Sequence, residues 1–163
     1  MPLIRPATPE DIGPITEIYN DAVRRTVATF DTVPRSLSDQ ANWFREHQPR
    51  YPVLAAELDG KVVGWASLSR WSERPAYDET AEVSVYVDEG HRGMGTGRAL
   101  LQALIEEGKR RGFHTLVSRI VQGSGVSIHL HEALGFTHVG VLREAGQKFG
   151  RRLDVHIMQV VFD

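Results

Sequence analysis

The segment richest in potential chemistry is Val85-Tyr86-Val87-Asp88-Glu89-Gly90-His91-Arg92-Gly93-Met94-Gly95-Thr96-Gly97-Arg98, with glycines at 93, 95 and 97 between two arginines. An alternating apolar run enters it and a helical pattern leaves it. Glycine lacks a Cβ and accepts positive φ, so successive backbone N–H groups there can converge on one anion. The following helix adds N–H groups without intrahelical acceptors and the positive end of its dipole. Arg92 and Arg98 supply charged hydrogen bonds, and a pyrophosphate is the guest this arrangement suits. A P-loop needs Lys-Ser/Thr after its last glycine, where this chain has Arg98-Ala99. A dinucleotide fingerprint needs glycines spaced G-x-G-x-x-G near a first strand, whereas these alternate and sit mid-chain. The plainer alternative is a flexible turn with no ligand, against which three glycines between two arginines weigh.

Two other residues could move protons. Glu82 lies three residues before Val85 on the same alternating run, and its alternative reading is an exposed strand carboxylate or an ion-pair partner. His131 sits in a short helical stretch, and a histidine can give or take a proton near neutrality. His129 is two positions away, about 200° round a helix, so the pair does not share a face and a metal site is not expected. Arg70, Trp71, Arg74 and Tyr77 cluster between two predicted strands. Arginine beside aromatics suits a carboxylate- or phosphinate-bearing acceptor. Phe30 and Lys148 to Arg151 are candidates for the same pocket, and the alternative for the loop is a solvated basic surface.

The elements that must position these residues are legible in part. Leu3 to Ala7 reads as a first strand, and Thr8-Pro9-Glu10-Asp11 as the cap and first turn of a helix carrying Ile12, Ile15, Ile18 and Tyr19. A second helix is expected from Ser38, with Trp43 and Phe44. Pro52 to Leu58 and Lys61 to Ser69 read as strands joined by a hairpin at Asp59-Gly60. Ala81 to Val87 alternates valines with Glu82, Ser84 and Tyr86, a strand with two distinct faces. A helix from Gly97 to Arg111 carries Leu100, Leu101, Leu104 and Ile105 and stops at Gly112. His114 to Val121 is a strand, Ser127 to Leu134 a helix ended by Gly135, and strands near Phe136 to Leu142 and Val155 to Phe162 close the chain. Alternating strands and helices between hairpins give a mixed α/β fold around a central sheet, expected as one domain over 1–163.

Arg92-Gly93-Met94-Gly95-Thr96-Gly97 resembles the Q/R-x-x-G-x-G/A signature of the GNAT acetyltransferases, whose backbone amides hold the pyrophosphate of acetyl-CoA. Nearly the whole chain is similar to the phosphinothricin and methionine sulfoximine N-acetyltransferase branch. The likeness rests on Ile18-Tyr19-Asn20-Asp21-Ala22-Val23, Tyr51-Pro52-Val53-Leu54, Ala76-Tyr77-Asp78 with Thr80-Ala81-Glu82, His131-Glu132-Ala133-Leu134-Gly135-Phe136, Lys148-Phe149-Gly150 and Leu153-Asp154. The resemblance implies a GNAT fold: a mostly antiparallel twisted sheet flanked by helices and splayed at the acetyl-CoA strand. It implies that backbone groups of Val85, Tyr86 and Val87 contact acetyl-CoA, and that Gly93 to Arg98 cradle its pyrophosphate. It gives Glu82 the part of base and His131 a catalytic part, protonation of the departing thiolate. It also implies a small-molecule amine acceptor and a homodimer. Two residues depart from the branch: Ser124 stands where it usually has an acetyl-CoA-contacting asparagine, and Arg152 where a tryptophan is typical.

Composition narrows the classes further. The chain has no cysteine, which removes thiolate metal sites and a cysteine nucleophile, and no serine–histidine–acid arrangement stands out. A net charge of −2 without long like-charged runs does not favour nucleic acid or an acidic membrane as partner. Three prolines and charged residues occupy Met1 to Glu10, and no apolar window approaches the ~18 residues of a membrane span, so a cytoplasmic protein is expected. The rival readings are a GNAT enzyme for protein N-termini or lysines, and an acetyl-CoA-sensing module without catalysis.

Overall fold

The computed structural model describes residues 1–163. Strand β1 (Leu3–Pro6) leads through a 3-10 turn at Pro9–Asp11 into helix α1 (Ile12–Arg25). Arg5 holds that entry in place, donating to both Asp11 oxygens at 2.7 and 3.0 Å and to Glu57 at 3.0 Å. Helix α2 (Leu37–His47) starts one residue before the expected Ser38, because Ser36 is the cap and accepts from the Asp39 N–H at 3.0 Å. Strands β2 (Val53–Leu58) and β3 (Lys61–Arg70) form the hairpin read from Asp59-Gly60, both of which take positive φ. Strand β4 (Thr80–Val87) enters the glycine turn, and α3 (Thr96–Arg110) leaves it. The chain continues through β5 (Thr115–Val121), α4 (Gly125–Ala133), β6 (Thr137–Lys148) and β7 (Arg151–Val161).

The last hairpin is longer than its apolar pattern suggests. Strand β6 runs on past Leu142 to Lys148 and β7 begins at Arg151, with Phe149 and Gly150 at positive φ as the two-residue turn. A register shift between Leu142 and Gly146 breaks the alternation that would have revealed it. Helix α4 likewise begins at Gly125, a residue with no helical propensity to announce it.

The seven strands form one sheet in the order β1-β2-β3-β4-β5-β7-β6. Every neighbouring pair is antiparallel except β4 and β5, so the mixed α/β fold read from the sequence has the mostly antiparallel sheet that the resemblance implies. Leu100, Leu101 and Leu104 of α3 are fully buried against Leu68, Ala81, Leu116 and Met158 on one face. Each such leucine contributes on the order of 1.5–3 kcal/mol by leaving water. On the other face α1 and α2 bury Ile15, Tyr19, Val23 and Phe44 against Val53 and Trp65. No helix is long and apolar enough to cross a membrane.

Candidate active site

The β4–β5 ladder is the feature that makes a site. It pairs Thr80, Ala81 and Glu82 with Thr115, Leu116 and Val117, and then stops, although β4 runs on to Val87 and β5 to Val121. Beyond Glu82 and Val117 the two strands part. Asp88 donates to Val63 O of β3 at 2.8 Å, so alternation turns the backbone groups of Val85 and Val87 away from β3 and into the gap. The Val85 and Val87 side chains pack against the α3-side core, so only their backbones are offered. The Tyr86 ring packs on the opposite face, 5.2 Å from Tyr19 and 5.0 Å from Trp65.

The glycine turn lies at the open end. Gly93 and Gly95 sit at φ +76° and +84°, and a Cβ on either would meet nothing within 4 Å. It is the left-handed backbone, not crowding, that calls for glycine there. The amides of Gly93, Met94 and Gly95 donate to no backbone carbonyl, and those of Thr96 and Gly97 open α3 with no acceptor inside the helix. Arg98 is exposed in this first turn, and Arg92 folds back to donate from Nε to Val87 O at 3.2 Å. Free amides, a helix N-terminus and two guanidiniums fit a pyrophosphate, and the unpaired backbone of β4 fits an extended amide-bearing arm as an added strand.

A cleft of about 760 Å³ runs through the gap and is lined by Phe30, Glu82, Val85, Tyr86, Ser124 and His131 among others. Ser124 precedes α4 and caps it with no side-chain bond, so its hydroxyl is free toward the cleft. Glu82 is half-buried and bound on both oxygens by Arg119, with Nε to Oε2 at 2.8 Å and Nη2 to Oε1 at 3.0 Å. The Arg119 guanidinium in turn stacks on Trp71 at 4.9 Å. Arg119 also lines the cleft and was not singled out by sequence, because only the parallel β4–β5 pairing brings it to Glu82.

His131 is buried on α4. Its Nδ1 lies 2.7 Å from Ser127 O, an acceptor only, so Nδ1 carries the proton. Its Nε2 lies 2.8 Å from Ser118 Oγ and accepts that hydroxyl's proton. Burial holds the imidazole below the usual histidine range, with the Ser127 carbonyl opposing. The resting ring is therefore neutral and is a proton acceptor first. The resemblance implies a proton donor to the thiolate, and a ring in this state can donate from Nε2 only after receiving a proton there. The serine–histidine pair, absent from the sequence reading, has a carbonyl where a triad has its acid.

Glu82 and His131 stand on opposite faces of the sheet. Leu116 and Ile120 of β5 point into the α3-side core, which places Ser118 between them on that face with His131. Glu82 shares its face of β4 with Tyr86, which packs on the α1 side. The gap between β4 and β5 is what joins the two groups.

The basic loop is arranged differently from expectation. Arg70, Trp71, Arg74 and Tyr77 do not line the cleft: Arg70 lies 3.9 Å from Asp78, Arg74 precedes the 3-10 turn Pro75–Tyr77, and Tyr77 is exposed. Lys148 is not in the cleft either. It is buried, donating from Nζ to Thr29 O at 2.8 Å, and burial lowers its pKa against the pull of Asp31. It fastens the loop between α1 and α2, which does reach the cleft through Phe30, Asp31 and Arg35. Gly146 gives the Phe30 ring its seat, since a Cβ there would lie 2.1 Å from the ring. Tyr19 anchors the same loop through Thr29 (2.9 Å) and Asp31, and burial with the Asp31 bond pushes its phenol up to about 12.

Two buried histidines make acid stability testable. His47, like His131, is bound at Nδ1 by a carbonyl (Trp43 O, 2.8 Å) and at Nε2 by a hydroxyl (Ser69, 2.9 Å), and burial lowers its pKa. A depressed histidine favours the fold fully above the unfolded value near 6.5, and the contribution falls as pH drops below it. The lowered pKa of Asp11, bonded to Arg5, matters only below about 4. Urea midpoints are expected to be flat from pH 8 to about 6.5 and to fall by pH 5. A flat profile down to pH 5 would show that neither ring is held neutral.

The chain belongs to the acetyltransferase (GNAT) family, whose model matches residues 15–136. It is 42% identical over 162 residues to an L-methionine sulfoximine/L-methionine sulfone acetyltransferase of Pseudomonas aeruginosa, covering 98% of this chain and 94% of that one. Among solved structures it superposes with a TM-score of 0.95 on a phosphinothricin acetyltransferase from Sinorhizobium meliloti in complex with acetyl-CoA, at 36% identity over 98% of this chain and 88% of that one. A ribosomal-protein-alanine N-acetyltransferase from Brucella melitensis superposes at 0.96, with 41% identity over 98% and 99%.

Proposed function

We propose that the protein transfers acetyl from acetyl-CoA to the α-amino group of a small amino-acid analogue of the methionine sulfoximine or phosphinothricin kind. The observation that carries this is the opening of β4 from β5 directly before the glycine cradle, with Glu82 at its closed end. Gly93 to Arg98 hold the pyrophosphate, and the gap-facing backbones of Val85 and Val87 pair with the pantetheine arm, with Ser124 beside it; the Tyr86 backbone, which the resemblance groups with them, faces Trp65 of β3 instead. When bound there, acetyl-CoA supplies the activated acyl group. Attack by the amine is direct: the chain has no cysteine, and the Ser118–His131 pair has a backbone carbonyl where a nucleophilic triad has its acid.

Glu82 draws the acceptor ammonium to the closed end and assists its deprotonation, and His131 takes part in the proton transfers on the other face. Phe30 forms the wall against the acceptor side chain. Arg119 is the guanidinium nearest to Glu82 and suits an acceptor carboxylate or phosphinate at the cleft mouth. We also propose a cytoplasmic homodimer. Exposed Val139, Val141 and Leu142 on the edge strand β6 support the pairing of copies.

The test follows free thiol release from acetyl-CoA against methionine sulfoximine, methionine sulfone, phosphinothricin, ordinary amino acids and a peptide beginning with alanine. Release dependent on one of the analogues is expected. Release with the peptide alone would assign the site to protein N-termini, and acetyl-CoA binding without release on any amine would make it a sensor.

A further inference from the structure

We propose that Ser118 is the proton relay of this site, its hydroxyl carrying protons between the groups that react in the β4–β5 gap and Nε2 of His131. The inference rests on reading the cleft as the place of acetyl transfer. Ser118 is the first residue of β5 beyond its last partner on β4, where the strands begin to part. Its side chain is buried yet lines the cleft, and its Oγ lies 2.8 Å from His131 Nε2.

Two sides of the ring are occupied by protein. Nδ1 is bound to Ser127 O at 2.7 Å, and Phe136 packs edge-on at 4.8 Å. The hydroxyl bonded to Nε2 is that of Ser118, which donates once and keeps lone pairs to accept, so a proton exchanged along this bond passes through it. Glu82 stands with Arg119 on the opposite face, so it serves the incoming ammonium there and does not meet Nε2 of His131.

The steps balance. As the acceptor nitrogen bonds to the acetyl carbon, its N–H bond breaks and the proton joins Ser118 Oγ, while the serine's own proton moves to Nε2 and the ring becomes imidazolium. When the carbon–sulfur bond breaks, the imidazolium proton returns to Oγ and the hydroxyl proton passes to the departing sulfur. Serine and histidine end as they began.

The charged groups sharing the cleft are Glu82 and Arg119 on the strands and Asp31 and Arg35 on the α1–α2 loop, and on α4 itself His129 and Glu132 are exposed. Burial lowers the pKa of His131 and the Ser127 carbonyl opposes it, with none of these charges among the causes.

The test compares Ser118→Thr with Ser118→Val, which differ by one hydroxyl at nearly equal shape, alongside wild type. Imidazole nitrogen NMR of the free protein is expected to show the Nδ1–H form of His131 in all three, which reports that the ring is in place. Turnover should stay within about threefold of wild type for Thr and fall tenfold to a hundredfold for Val, a share of the usual worth of positioned proton transfer. The acidic limb that protonation of His131 imposes on turnover should survive in Thr and vanish in Val. Equal turnover in Thr and Val, with the ring signal intact, would overturn the relay alone. A wild-type protein that acetylates no amine would overturn the acetyl-transfer reading and the relay with it.

Discussion

Replacing Glu82 with glutamine is expected to lower kcat by about 10²-fold, within the usual range for a positioned proton-transfer group, and to change acetyl-CoA affinity less than about twofold. The substitution keeps size and one acceptor oxygen but removes the charge. That charge sits at the closed end of the gap, where the proposed function places the acceptor ammonium and the loss of its proton. The pair with Arg119 is partly exposed, so breaking it costs the fold about 1 kcal/mol or less, too little to mimic inactivation by unfolding. The cradle is at the other end of β4 and should not sense the change. Arg119→Gln separates the two contributions. It releases both Glu82 oxygens while leaving the carboxylate, so it should raise the KM of a carboxylate-bearing acceptor more than it lowers kcat. Steady-state rates over a range of both substrates decide the matter, and Glu82→Gln with unchanged kcat would remove Glu82 from the chemistry.

Gly95→Val is expected to weaken acetyl-CoA binding by about 10²-fold. Gly95 caps α3 at φ +84°, a backbone that costs a residue with a side chain about 1–2 kcal/mol and a β-branched one more. Nothing crowds a Cβ there, so the strain is relieved by rotating the backbone, and rotation turns the local amides off the anion. Losing one or two charge-assisted hydrogen bonds at about 1.5–3 kcal/mol each accounts for the expected loss. Gly97→Ala is the control. Gly97 is free of positive φ, and its Cβ would meet Leu130 and Val87 at an ordinary 3.8 Å. Affinity should stay within about threefold. Calorimetric titration reads both, and equal losses at 95 and 97 would mean that bulk, and not backbone conformation, governs the cradle.

The parts of the site that the sequence makes legible are local. The strand, the glycine turn and α3 follow one another, and periodicity with glycine punctuation is enough to place them within a residue. Glu82 and His131 are named by resemblance, but their surroundings depend on contacts far apart in the chain. Arg119 meets Glu82 across a parallel pair, Ser118 meets His131 across a strand and a helix, and Lys148 meets Thr29 across 119 residues. No spacing rule encodes such meetings, which is why the sequence points to Arg70 and Arg74 while Arg119 is the arginine that reaches the site. Lys148, a candidate for the acceptor pocket by sequence, is instead buried under the loop whose Thr29 carbonyl it binds. The residues that hold Phe30 in place, Gly146 and Lys148, both lie beyond the bulge where strand alternation fails.

The central claim is that acetyl-CoA lies along β4 in the gap left by β5, with its pyrophosphate on the glycine cradle. Amide NMR of the labelled protein titrated with acetyl-CoA, and separately with acetyl-pantetheine, tests it most directly. The account predicts that acetyl-CoA moves the amides of Val85, Val87, Gly93 and Gly95, and that acetyl-pantetheine, which lacks the pyrophosphate, moves the valines and leaves the glycines. Saturation with acetyl-CoA that leaves the Gly93 and Gly95 amides where they were would contradict it.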